Sequence, residues 1–165
     1  MALTLSISAP DITDDVEDRE GTEIGIVPIA GQTARDVVGR IGEVGKTGLV
    51  MLDVTMFEMV VGEVEGLLEG LEGLKVLSFC VGVAGWEELF ERLGRGERDV
   101  EVLEIVAVPE EGMVQSLKEV AEGLGVKGAM LDRLGRWNRL RSVKISILRT
   151  RGEVWVRDGV EWKKT

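Results

Sequence analysis

The sequence predicts an α/β protein, an open solenoid of about six strand-helix repeats with a parallel sheet on one face, helices on the other, and a C-terminal β-hairpin. Three observations predict it. The pattern apolar-x-x-apolar-x-apolar recurs from positions 2, 24, 49, 74, 100 and 140. The segments between copies carry apolar residues at helical spacing. The tail "VWVRDGVEW" alternates on either side of Asp158-Gly159, a two-residue hairpin signal.

The first copy, Ala2-x-x-Leu5-x-Ile7, is a weak one. It leads into "DITDDVEDRE" at 11–20, which lacks the alternation and glycine of a calcium loop and reads as an acidic connector. Residues 1–21 therefore stand apart from a repeat core at 22–148 and a hairpin at 149–165, all within one domain. The second copy is Ile24-x-x-Val27-x-Ile29. Thr33 is placed to cap the following helix, which presents Ala34, Val37, Val38, Ile41 and Val44 on one side. After Leu49-x-x-Leu52-x-Val54 comes a helix with Val60, Val64, Leu67, Leu68 and Leu71. After Leu74-x-x-Leu77-x-Phe79 comes one with Trp86, Leu89, Phe90 and Leu93. The copy at Val100-x-x-Leu103-x-Ile105 precedes a longer step to Leu140-x-x-Val143-x-Ile145. Two helical stretches, near 113–124 and 130–137, fill that step. Gly66, Gly70 and Gly73 sit in or beside helices, where each costs up to about 1 kcal/mol relative to Ala. These helices must draw their stability from stacking.

Composition removes several function classes. The 165 residues suffice for one domain with a core, and 44% hydrophobic with 30% charged is a globular balance. No apolar run reaches membrane-span length, and the first residues lack the basic start and apolar run of a signal peptide. Cys80 is the lone cysteine. It excludes an internal disulfide, reads as a small buried hydrophobe, and suggests a reducing compartment, cytoplasmic or nuclear. The chain has no His and no Tyr. Histidine-activated nucleophiles, histidine bases and histidine metal ligands are thereby excluded, and one thiol cannot hold zinc. The expectation is a non-enzymatic protein without metal or cofactor.

The net charge is −10, unevenly placed. Residues 127–165 hold 11 Lys/Arg against 4 Asp/Glu, a net of +7, which leaves −17 on residues 1–126. An acidic body disfavours nucleic acid and anionic membranes as partners. The opposite-charge ends offer a route to self-association.

If the last two apolar positions of each copy point inward, their neighbours point outward. One outward column is then Ile26, Met51, Val76 and Val102, an apolar stripe. The next is Pro28, Asp53, Ser78, Glu104 and Lys144, too polar to lie under helices. Such a face suits a protein partner, with Met51, Asp53, Val76, Ser78, Val102, Glu104 and Lys144 as contact residues. The alternative is a doubly wound α/β domain that binds a small molecule or nucleotide where the strands end, near Ala30, Thr55 and Cys80. "GEVGKTG" at 42–48 is no phosphate loop. Arg40 stands where that motif needs glycine, and a strand follows it instead of a helix. Arg133, Arg136 and Arg139 surround Trp137, which reads as a core anchor with snorkelling arginines.

A strand-helix unit of about 25 residues resembles the leucine-rich repeat. "LLEGLEGLKVLSF" is similar to the helix-to-strand junctions of ribonuclease-inhibitor-like repeats in F-box-associated proteins. The resemblance covers roughly residues 20–148. It implies a leucine-rich-repeat-like core that recognises a protein, with substrate recognition for a ubiquitin ligase as the family's use of that face. The family's fuller pattern has Asn or Cys eight positions after the first apolar residue. Gln32, Phe57, Gly82 and Val108 stand there instead, and no stretch reads as an F-box.

Overall fold

The computed structural model describes residues 3–6, 28–44, 48–82, 84, 86–108, 128–147 and 153–165. Seven strands form one open, mostly parallel sheet: β1 (Leu3–Ser6), β2 (Leu49–Met59), β3 (Val76–Gly82), β4 (Val102–Val108), β5 (Ser142–Ile147), β6 (Glu153–Asp158) and β7 (Glu161–Lys164). Helices α1 (Gln32–Val44), α2 (Val61–Gly70) and α3 (Trp86–Leu93) lie between them, and the short α4 (Gly128–Leu131) runs into a 3₁₀ turn at Asp132–Leu134.

Spatial order equals chain order, β1-β2-β3-β4-β5-β6-β7, with β1 to β5 parallel and the last two pairings antiparallel. Among the described strands there is no reversal of order, and so no switch point of the kind a doubly wound fold uses. Crossovers of one hand between successive neighbours put the described helices on the same face. Accordingly α1 packs on α2, α2 on α3, and α3 on the 3₁₀ turn.

The repeat pattern sets the register. Leu5, Leu52, Leu77, Leu103 and Val143 are direct neighbours across five strands. Leu52, Leu77, Leu103 and Val143, with Phe79, Ile105 and Ile145, are buried in one core with Leu67 and Leu68 of α2 and Leu89 and Phe90 of α3, and Leu5 packs against it half-buried. Burial in α3 falls on Trp86, Leu89, Phe90 and Leu93, the positions its spacing predicts. Trp137 is fully buried, and its Nε1–H donates to the Leu93 carbonyl at 2.9 Å. That bond satisfies one of the carbonyls left open at the end of α3.

Several expectations need correction. Five parallel strands, not six, are found among the described residues. β1 pairs directly with β2, in the place expected for the copy at Ile24. Of that copy only Ile29 is described in the sheet, bridging Phe57. Ile24, Ile26, Val27, the connector at 11–20 and the helix near 113–124 lie outside the described residues. In α2, Val60 is exposed and Val61 is buried in its place. The helix begins one residue later than its spacing suggests, and Val60 precedes it in extended backbone, its N–H donating to Glu63 Oε2. The last two strands turn through Gly159 and Val160, since Asp158 still pairs with Glu161. Gly159, at φ 63°, takes the left-handed position that Asp158 would fill less readily.

Candidate functional site

Opposite the helices the outward side chains fall into three rows, because parallel register carries one residue of each strand across the sheet. The first row is Thr4, Met51, Val76, Val102, Ser142 and Val156. Met51, Val76 and Val102 stand side by side in its middle, each half-buried. The second row is Ser6, Asp53, Ser78, Glu104, Lys144 and Val154. The register therefore brings all seven expected contact residues into two adjacent rows. No described helix packs over them.

The second row holds two hydrogen-bonded groups. Lys144 Nζ donates to Glu104 Oε1 at 2.6 Å, and Ser78 Oγ donates to Glu104 Oε2 at 3.3 Å. Ser6 Oγ donates to Asp53 Oδ2 at 3.4 Å. The other Asp53 oxygen accepts from the Thr55 backbone N–H at 3.1 Å and from its hydroxyl at 2.9 Å. Glu104 and Lys144 side chains remain 30% and 45% exposed, so both reach solvent while paired. Ser78 departs from its expected role. It is only 4% exposed, a short side chain between longer ones, with its hydroxyl turned to Glu104.

The third row is Glu58, Cys80, Val106 and Ser146. Thr55 was the expected member from β2, but the register slips between Asp53 and Glu58. Val54 to Phe57 stand opposite Phe79 alone, so Glu58 lands beside Cys80, while Thr55 is 8% exposed with its hydroxyl on Asp53. Cys80 is fully buried, and burial pushes its thiol up to about 12, with the Glu58 charge adding to the effect. A thiol held neutral at pH 7 is a poor nucleophile. That agrees with its reading as a small buried hydrophobe, here on the outward side of the sheet.

Where β2, β3 and β4 end, a cavity of about 560 Å³ opens, lined also by Ala30, Gly31 and the start of α2. Ala30 lines it as the small-molecule alternative expected, whereas Thr55 and Cys80 do not. Its charged lining groups are Glu58 and Glu88. Sequence reasoning overlooked Glu58 because the repeat pattern stops at Val54. The signal was present in "FEM" at 57–59, where alternation continues with an acid between two apolar residues.

The basic segment behaves as its composition suggests. Arg136 donates to the Arg95 carbonyl at 2.9 Å and Arg139 lies 3.5 Å from Asp99, both beside the buried Trp137. Among the described residues no group of His, Cys, Asp and Glu is placed to hold a metal ion, and no helix is long and apolar enough to cross a membrane.

No protein-family model, curated protein or solved structure matches the chain.

Proposed function

We propose that this chain is a leucine-rich-repeat-like solenoid, closed at its C-terminal end by a β-hairpin, that binds a protein partner along its strand face and performs no chemistry of its own. The observation that carries the reading is the pair of rows on the face away from the helices. An accessible apolar stripe, Met51-Val76-Val102, runs beside a polar one, Asp53-Ser78-Glu104-Lys144. A partner segment laid across the strands gains apolar contact from the first row. The second row fixes its orientation through charge, acidic toward β2 and basic toward β5. The chain-ordered parallel strands and the single rank of helices support the repeat architecture. In the family the sequence resembles, such a face selects substrates for a ubiquitin ligase, and we extend that role to this chain.

The cavity favours a second reading, a small-molecule site at the strand ends. Nucleotides suit it poorly, because carboxylates without a lysine or arginine among the described lining residues repel phosphate.

The test is a peptide-display selection against the whole chain. Selected peptides should lose binding to the Met51→Lys/Val102→Lys variant while its circular dichroism and melting remain those of the parent. Retained binding in that variant would remove the strand face from consideration.

A further inference from the structure

We infer that the cavity at the ends of β2 and β3 receives a basic anchor side chain, Lys or Arg, from the partner on the strand face, with the cation against Glu58. This rests on the function proposed above and specifies the partner's chemistry.

The cavity meets the outward rows at one residue. Glu58 belongs to the third outward row, beside Cys80, and also lines the cavity. The walls are otherwise largely apolar, with Met59, Val61, Val81 and Val108 among them. At about 560 Å³ the space lies within the usual range for ligand pockets. A long side chain with a methylene stem and a charged head matches that lining, stem on the apolar wall and head on the acid.

The charge balance selects the sign. Glu88 is already committed, 2.7 Å from Arg92, which also holds Glu65 at 3.0 Å. Arg35 lies 3.1 Å from Glu63. Glu63, Glu65 and Glu88 pair with Arg35 and Arg92, and with Glu58 added these six groups carry a net of −2. The unmatched charge in the cavity is Glu58. It is half-buried, and its carboxylate has no hydrogen-bond or ion-pair partner among the described residues. A partly desolvated carboxylate without a partner is costly, and an incoming cation relieves that cost. The site also leaves room for the acid in its present pose. A Cβ on Gly82 would come within 3.0 Å of Glu58 Oε1, so glycine there keeps the carboxylate clear of the β3 backbone.

The probes are two blocked tripeptides, acetyl-Leu-Arg-Leu-amide and its citrulline counterpart, titrated into the ¹⁵N-labelled full chain. Citrulline keeps the shape and removes the charge. The arginine probe should shift the amides of Met59, Val61 and Gly82, and the citrulline probe should bind about tenfold more weakly. Glu58→Gln should lower affinity for the arginine probe by about the same factor and leave the citrulline probe unchanged. Equal binding of the two probes to the parent chain, or shifts confined to other residues, would overturn the inference without recourse to any variant. The display-selected peptides separate this inference from the function it rests on. Peptides that fail on Met51→Lys/Val102→Lys but bind Glu58→Gln unchanged would retain the strand face and eliminate the anchor. An arginine probe still held by the double variant, with no selected peptide sensitive to that variant, would retain the anchor and eliminate the face.

Discussion

Val102 and Leu103 are consecutive residues of β4 on opposite faces, and replacing each by lysine should give very different outcomes. Leu103 is fully buried against the helices, between Leu77 and Val143. Leu103→Lys forfeits about 2–3 kcal/mol of apolar burial and must also desolvate an ammonium, at several kcal/mol more. That sum approaches the whole stability of a typical domain, about 5–15 kcal/mol. Val102 is half-buried, with Val76 and Ser142 beside it in its row. Its replacement forfeits about 1 kcal/mol, and the lysine stem recovers part of that by lying along the row. Glu104, two residues on and on the same face, offsets the diagonal Lys144. Urea titration followed by far-UV circular dichroism should show Val102→Lys close to the parent midpoint and Leu103→Lys unfolded or nearly so. Equal losses in the two variants would mean that the outward face is interior, and the binding surface argued from it would fall.

Other outcomes follow from single contacts. Trp137→Phe removes the Nε1–H bond to the Leu93 carbonyl at a buried helix end and should cost about 1–3 kcal/mol in urea, so an unchanged midpoint would contradict that role. Gly66→Ala should raise stability by about 0.5–1 kcal/mol, because nothing lies within 4 Å of the added carbon in the middle of α2. Gly94→Ala should do the reverse, by about 1–3 kcal/mol, since its Cβ would fall 2.3 Å from the Arg133 carbonyl oxygen and backbone has little room to yield. A raised thiol pKa stabilises the fold fully below the unfolded value of 9.0, and that contribution is lost as pH rises toward about 12. Urea midpoints should therefore fall between pH 9 and 11 more steeply in the parent than in Cys80→Ala, and parallel profiles would exclude a buried thiol there.

The sheet was legible because one signal, the spacing of apolar residues, sets both which residues face inward and which residues are neighbours. Leu52, Leu77, Leu103 and Val143 occupy equal places in their copies and are aligned in space. Trp137 was legible for a related reason, as a large apolar surface among charges has few places to go but inside. What escaped was whatever the repeat does not encode. Nothing in the spacing says that β1, a weak copy far from β2 in sequence, pairs with Leu49 to Asp53. The slip after Asp53 was invisible too. "VTMFEM" continues the strand alternation while β3 contributes a single residue opposite four, so local pattern could not locate the offset. The same slip hid Glu58 and with it the acidic cavity, whose walls come from segments far apart in sequence. The outward rows could be named in advance, but the burial of Ser78 within its row depends on the length of its neighbours, Asp53 and Glu104.

The Ile29–Phe57 bridge consists of two backbone bonds, the Ile29 N–H to the Met56 carbonyl at 2.7 Å and the Glu58 N–H to the Ile29 carbonyl at 2.9 Å. The next two residues after Ile29 line the acidic hollow, and so does Glu58. This small hasp therefore ties two lining segments, far apart in sequence, directly to one another at the mouth of the hollow.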